Sequence, residues 1–494
     1  MVNTKNAYKS IFKSTSLFGG VQIFNIIISI IRTKFIAILI GPTGLGIVGL
    51  FNSTISFIVG LTNFGLDRSA VKNIAKSNSN DDLTKVSITV IVLRKLVWIT
   101  GILGALITLI FSSLISELTF GNDEYSLAFS YLSITLLLNQ ICGGQTAILR
   151  GLHKLQFMAK SSLWGSLAGL FISVPIYYFF RLDGIVPSII ISSIIALIIS
   201  YYYTSKVNIL SLKITKNDLL HEGKDMLKVG FFLSLSSLLV LAESYLIRIF
   251  IMQNGTIDDV GFYAAGFALV NTYFGVIFVA LTTDYYPKLA AVANDFKKST
   301  LLMNQQSEMT IILISPILVG FLILIEPIII ILYSKDFLPI YEMILWGALG
   351  IFFKASSWAL GVIFVSKGDV KTLFFSELST NSIMLILNLM GFYYYGLEGL
   401  GISFLVAYIF AYAQTFLIVK FKYSFSYSKE FYKIYLASLS LGIIAFLISK
   451  FIIYPFNYYL GICVIIVSLL YSFKIIKNKT GVLSSIFNKS NTNE

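Results

Sequence analysis

Charge is what this 494-residue sequence has least of: only 12% of it is Asp, Glu, Lys or Arg. A soluble domain carries about 25%, so the chain lacks the polar surface that facing water would demand. Cysteine and histidine are scarcer still, with two of each. Cys142 and Cys463 stand far apart inside apolar runs, and His153 and His221 fall in expected loops. That pattern excludes a disulfide framework and metal-ligand spacing, so no metal and no cofactor is expected. No G-x-x-x-x-G-K-[ST] stretch occurs, nor a soluble domain to hold a nucleotide. With eight prolines, 35 glycines and no low-complexity tract, a collagen-like or disordered polymer is also excluded. What fills the chain instead is 56% apolar residues at a mean hydropathy of +0.84.

Apolar runs of about 20 residues, each enough for one crossing, recur at 14–40, 47–66, 88–112, 126–149, 157–180, 184–204, 228–252, 262–286, 306–332, 343–366, 372–395, 399–420, 432–453 and 456–475. The expected class is an all-α polytopic membrane protein with about fourteen transmembrane helices. The stretch after Lys13 runs unbroken to Ile40 without a small-residue cleavage site, so a retained first helix is expected rather than a signal peptide. With the N-terminus inside, only Arg181, Lys335 and Lys450 lie outside. Arg32, Lys34, Arg94, Lys95, Arg248 and Lys354 lie within spans, and the rest of the 37 Lys and Arg are cytoplasmic. The positive-inside rule then places both termini in the cytoplasm. The net charge of +13 reports insertion into an anionic-lipid membrane, not nucleic-acid binding.

The chain also repeats itself. Residues 177–184 (YYFFRLDG) pair with 392–399 (FYYYGLEG) at an offset of 215, while the basic turns 150–154 and 367–371, and Asp67 and Asp284, pair at 217. Six spans is an even number, so two copies share one orientation about an axis along the membrane normal. The expected organisation is an N-lobe over 1–204, a cytoplasmic amphipathic linker over 205–227 lying on the membrane surface, a C-lobe over 228–420, and an appended pair with a cytoplasmic tail over 421–494. Two facing bundles suit alternating access.

Ionisable groups inside spans are costly and normally face a wet cavity or one another. At 100° per residue, Ser14, Gln22, Asn25, Ser29 and Arg32 share one face of the first span within about 80°. Gly49, Asn52, Ser56, Gly60 and Asn63 form a stripe on the second. Ser237, Ser244 and Arg248 share a face of the seventh, from which Glu243 points away. Arg32 and Arg248 open the two copies, and a cavity with one guanidinium from each suits an anion, particularly a diphosphate gripped bidentately. Lys34 sits about 200° from Arg32. Lys354 either joins that cavity or bridges to Glu377 or Glu243, and Asp284 lies at a cytoplasmic boundary as a latch or coupling group. The plainer reading is that Ser/Asn/Gly stripes glue helices together, and for the second and eleventh spans it is favoured.

Four stretches carry a likeness: IIRTKFIAILIGPTGLGIVGLFNS (30–53), FGLDRSAVKNIA (64–75), VGFYAAGFALVNTYFGVIFVALTTDYYPKLA (260–290) and LWGALGIFFKASSWALGVIFVSKGDVKTLFFSELS (345–379). Together they resemble the O-antigen translocases, the Wzx-type lipid-linked oligosaccharide flippases of the multidrug/oligosaccharidyl-lipid/polysaccharide (MOP) exporter superfamily, nearest the lipid III branch. The appended pair departs from the twelve-helix form of that branch. The resemblance implies transfer of an undecaprenyl-diphosphate-linked oligosaccharide, an O-antigen or related repeat unit of lipopolysaccharide biosynthesis, across the bacterial inner membrane. It implies membrane lipids, a polysaccharide polymerase and chain-length proteins as partners, and matches Lys34, Lys354 and Glu377 to the family pattern. A multidrug exporter of the same superfamily is the nearest rival. An oligosaccharide polymerase is the remote one, since the outer connectors hold no paired carboxylates, and no enzymatic activity is expected.

Overall fold

The computed structural model describes residues 4–79, 82–212 and 215–480. Among them every regular element is helical and no strand occurs. Hydrocarbon offers no partner for backbone N–H and C=O groups, so a chain of long apolar runs must pair them inside helices. The helices are α1 (Thr4–Asn63), α2 (Leu66–Ser79), α3 (Leu83–Ile110), α4 (Ser112–Phe120), α5 (Ser126–Gly151), α6 (Leu155–Phe180), α7 (Ile185–Ser205), α8 (Lys216–Asn254), α9 (Ile257–Phe267), α10 (Phe274–Val292), α11 (Phe296–Ile323), α12 (Ile325–Leu332), α13 (Tyr341–Ser366), α14 (Val370–Tyr423), α15 (Lys429–Phe451) and α16 (Phe456–Thr480).

Among the described residues, eleven helical stretches are long and apolar enough to cross a membrane. Three of these, Phe24–Asn63, Leu155–Ser205 and Val370–Tyr423, run to 40, 51 and 54 residues. At 1.5 Å per residue each is about twice as long as the ~30 Å hydrocarbon layer is thick. Each is also broken once: at Gly41 (φ 65°, ψ −167°), at Arg181–Gly184 and at Gly396 (φ 57°, ψ −136°). Taking each as two crossings gives fourteen, in the expected order. Helices outrun the apolar segments where a cap supports them. Span 3 starts at Leu83, before its apolar run, because the Asp82 carboxylate accepts from the Lys85 N–H at 2.9 Å; Asp295 does the same for α11 through Lys298 at 3.1 Å.

The duplication is written in the backbone. Phe111 (φ −99°, ψ 19°) and Leu324 (φ −102°, ψ 20°) break α3 from α4 and α11 from α12 at an offset of 213. Past α5 and α13, Lys154 N–H donates to Leu149 O and Asp369 N–H to Phe364 O, both at 2.8 Å and 215 apart. The residues before them, His153 (φ 54°) and Gly368 (φ 67°), are left-handed. This pairs the basic turns at 215 rather than the expected 217. Asp67 and Asp284 are not structural counterparts: Asp67 follows the break at Phe64–Gly65, whereas Asp284 lies in uninterrupted α10.

Two compact units divide the chain. The first runs to Phe262 and includes Leu332–Asp336; the second comprises Tyr263–Ile331 and the chain from Phe337. In the first unit, α8 packs against α1 and α2. A Cβ on Gly65 would stand 2.0 Å from the Gly230 carbonyl oxygen, and Arg68 Nη1 donates to Leu233 O at 2.5 Å. The Gly-Pro-x-Gly-x-Gly turn serves the same end: Gly41 breaks α1, and Gly46 admits the Ile257 carbonyl, to which a Cβ would come within 2.1 Å. Part of the described 205–227 segment docks on protein. Val207 and Ile209 pack on the α2–α3–α5 core, Leu210 N–H donates to Ser87 Oγ at 3.0 Å, and Met226 is fully buried there. Residues 213–214 of that segment and 481–494 of the tail lie outside the described residues.

In the second unit the appended pair α15–α16 packs on α11, and α15 also meets α13. Charged groups hold it at both ends. Lys450 bridges to Glu342 (3.0 Å) and Glu398 (2.7 Å), and Glu398 accepts from Trp346 Nε1 at 2.8 Å. At the other end, buried Glu308 accepts from Lys479 and from Ser428 Oγ (2.9 Å).

Candidate functional site

In the first unit α1 carries most of the groups the sequence singles out. Arg32 lies nine residues before the break at Gly41, about 13 Å along the helix, and Asn52 eleven residues after it, about 16 Å. Both depths fall near the middle of a ~30 Å hydrocarbon layer. Arg32 is half-buried, with its Nη1 facing Gly169 of α6, and its Nε is buried without a hydrogen-bond partner. A buried guanidinium nitrogen left unsatisfied is costly, and an anion would satisfy it. Ser29, Asn52 and Ser56 are exposed. Exposed hydroxyls and amides at mid-span depth are costly against lipid tails.

The antiparallel run of α8 beside the second arm of α1 sets the depth of Arg248. Leu241 faces Gly60, Tyr245 stacks on Phe57 at 5.1 Å between ring centroids, and Ile257 reaches Gly46. Arg248, between those contacts, therefore stands level with Asn52 and Ser56. Its Nη1 donates to Ser244 O at 2.8 Å and to Ser244 Oγ, the neighbour expected on its face. Glu243, half-buried on the same helix, joins no ion pair among the described residues.

Other expected groups are held by helix packing. Asn25 donates to Ser162 Oγ of α6 at 2.8 Å, and Asn63 to Asp67 Oδ1 at 3.2 Å. Lys34 donates to the Tyr333 carbonyl, on a different side of α1 from Arg32 as its 200° offset requires. Ser14 and Gln22, the remaining members of the first stripe, lie outside the residues whose side chains are described.

In the second unit Lys354 does not bridge to Glu377: among the described residues no ion pair joins them. Its ammonium bonds Asn271 Oδ1 instead and stands 5.1, 5.8 and 5.9 Å from the rings of Tyr408, Phe404 and Phe278. Aromatic faces at that range attract a cation. Asn271 occupies a π-helical stretch, Ala268–Tyr273, between α9 and α10. Such wide turns interrupt α-helices frequently at functional sites, and nothing in the residue pattern VNTYFG distinguishes one from ordinary helix. Glu377 is half-buried on α14. Asp284 is exposed and pairs with Lys288 one turn away at 2.6 Å, a surface contact of little energetic weight.

The profile of a family described as "Polysaccharide biosynthesis protein" matches residues 35–342, more than half of the chain. No curated protein matches the sequence. Among solved structures, the lipid II flippase MurJ in an inward closed conformation superposes with a TM-score of 0.71 at 16% identity, covering 94% of this chain and 99% of its own. An inward-facing multidrug resistance MATE family transporter of the MOP superfamily gives 0.66 at 16% identity, over 81% of this chain and 94% of its own. A MOP superfamily transporter from Pyrococcus furiosus, described as having a binding pocket of reverse polarity, gives 0.60 at 17% identity, over 83% and 96%. At such identities the likeness is one of fold.

Proposed function

Because the chain belongs to the polysaccharide biosynthesis protein family and has the MOP-superfamily fold, we propose that it is a flippase for an undecaprenyl-diphosphate-linked oligosaccharide, the repeat unit of O-antigen or a related surface polysaccharide. In this reading it carries its cargo from the inner to the outer leaflet of the bacterial plasma membrane, with both termini in the cytoplasm. The observation that carries the reading is the pair of guanidinium groups, Arg32 and Arg248, at mid-membrane depth beside exposed Ser29, Asn52 and Ser56. Two phosphate charges and several sugars cannot cross ~30 Å of hydrocarbon unaided. The planar fork of a guanidinium matches phosphate oxygens in pairs.

Arg32 and Arg248 take the diphosphate, and Asn25, Asn52 and Asn63 offer amides to the sugars; in the second unit, Lys354 on its Asn271 anchor is a further cation that suits an anionic cargo. The polyprenyl tail stays in lipid. Rocking of one bundle against the other then changes the side to which the polar face opens. No bond is made or broken, so nothing in the step calls for an enzyme's acid–base groups. Released oligosaccharide passes to a polymerase and chain-length proteins.

Glu243 favours a second reading, a multidrug exporter, since a half-buried carboxylate suits a cationic cargo. Proteoliposomes separate the two. A flippase moves labelled lipid-linked oligosaccharide well above the rate of protein-free vesicles and ignores a cationic dye. Dye transport without oligosaccharide movement would reverse the assignment.

A further inference from the structure

A cavity of about 530 Å3 lies within the first unit between α3, α5 and α7, on helices that carry none of the groups assigned to cargo above. Its walls are almost wholly apolar, including Trp98, Leu138 and Ile198, and its mouth lies where Trp98, Ile198 and Tyr201 are exposed. In a membrane helix that exposure faces lipid. Two polar side chains interrupt the lining. Gln145 is only 4% exposed and its Oε1 is buried without a hydrogen-bond partner, and Arg94, half-buried, has an Nε in the same condition. Leaving a buried polar atom unmatched costs more than a hydrogen bond typically returns. Two of them, one cationic donor and one neutral acceptor, in one apolar cavity are the complement of an amphiphile.

Depth narrows the ligand. Tyr201 is one helical turn from the end of α7 at Ser205, and Gln145 lies six residues from the end of α5 at Gly151. The polar end of the cavity therefore sits near the membrane boundary that the sequence's charge bias assigns to the cytoplasm. Lys95 is exposed beside Arg94, and Lys206 lies 4.1 Å over the Tyr202 ring just past α7. This is a basic and aromatic rim at headgroup level, which favours an anionic lipid.

We infer that the α3–α5–α7 cavity holds one resident anionic glycerophospholipid, its phosphate on Arg94, a headgroup hydroxyl donating to Gln145 Oε1, and an acyl chain along Leu138 and Ile198. The lipid is a structural and regulatory ligand of the first unit, distinct from the cargo. It satisfies both stranded polar atoms and fills the gap between three helices.

Native mass spectrometry of the full chain tests this, after incubation with palmitoyl-oleoyl phosphatidylglycerol or the matching phosphatidylcholine. The wild-type protein should retain one phosphatidylglycerol in preference to phosphatidylcholine. Arg94→Gln should weaken that retention about tenfold, the effect of losing one charge-assisted contact, and Lys95→Gln much less. Leu138→Trp, which fills the chain-binding end and leaves Arg94 in place, should also release the lipid; it decides the matter if Arg94→Gln does not fold. Equal retention of both lipids, unchanged retention in both variants, or displacement by an equimolar polyprenyl phosphate would overturn the assignment.

Discussion

Arg181 and Gly396, 215 residues apart, break their helices with nearly the same backbone, φ 51° and ψ −127° in one and φ 57° and ψ −136° in the other. That region favours glycine, because a Cβ crowds the following carbonyl there. The first copy tolerates an arginine at the position, and its guanidinium gains a hydrogen bond to Leu39 O at 2.7 Å. Nothing lies within 4 Å of where a Cβ on Gly396 would stand, so any penalty for a side chain there is backbone strain alone. Gly396→Ala should therefore destabilise the protein by about 1–3 kcal/mol. Thermal unfolding in detergent checks it.

The opposite change is available at the matching turn. His153 is left-handed where Gly368 supplies the glycine that helix ends prefer. His153→Gly should stabilise the protein by up to about 1 kcal/mol, read in the same unfolding measurement.

The approach of α8 to the start of α2 leaves no room for a methyl group. A Cβ on Gly65 would fall 2.0 Å from the Gly230 oxygen, and one on Gly230 would fall 2.4 Å from the Phe64 oxygen. Backbone cannot yield as a side-chain tip can. Gly230→Val should cost at least about 3 kcal/mol, in the range of severe overpacking, and should sharply lower the yield of monodisperse protein on gel filtration.

Lys354 and Asn271 form a pair whose loss should touch transport more than folding. Lys354→Met keeps the aliphatic stem among Phe278, Phe404 and Tyr408 but removes the charge. Translocation in proteoliposomes should fall by about tenfold or more, the scale of one charge-assisted contact, while yield and melting temperature stay close to wild type. Asn271→Ala should reproduce part of that fall.

Outside the membrane, Asp369 caps α14 and bridges to Lys422 at 2.6 Å. Its bonds with Lys422 and Tyr423 hold its carboxyl well below the usual carboxylate range. A carboxyl with a depressed folded-state pKa contributes stability that is present above its unfolded value, about 3.9, and is lost as pH falls below it. Asp369→Asn should therefore flatten the loss of stability between about pH 4 and lower values, measured by unfolding across that range.

The fourteen crossings were legible because lipid leaves a long apolar run no alternative to helix, and because Gly41–Pro42 marks the first of the breaks. The ends were less so. Hydropathy stops at the last apolar residue, whereas Asp82 and Asp295 cap helices that continue through polar turns. The stripe on the first span placed Arg32 and Lys34 on different sides of α1, since a regular helix turns a fixed angle per residue. Lys354 defeated the same reasoning. Its partner sits in a π-helical stretch, where an extra residue per turn shifts the face and brings Asn271 to the ammonium instead of Glu377. The packing of α8 with α1 and α2 was hidden too, because it depends on glycines 165 residues apart meeting backbone to backbone.

The grip of Arg32 and Arg248 on a diphosphate is tested most directly by translocation of lipid-linked oligosaccharide in proteoliposomes holding the Arg32→Ala/Arg248→Ala double variant. With folded protein confirmed by its melting temperature, the rate should drop by about a hundredfold or more, two lost charge-assisted contacts at roughly tenfold each. Translocation at the wild-type rate would contradict the account.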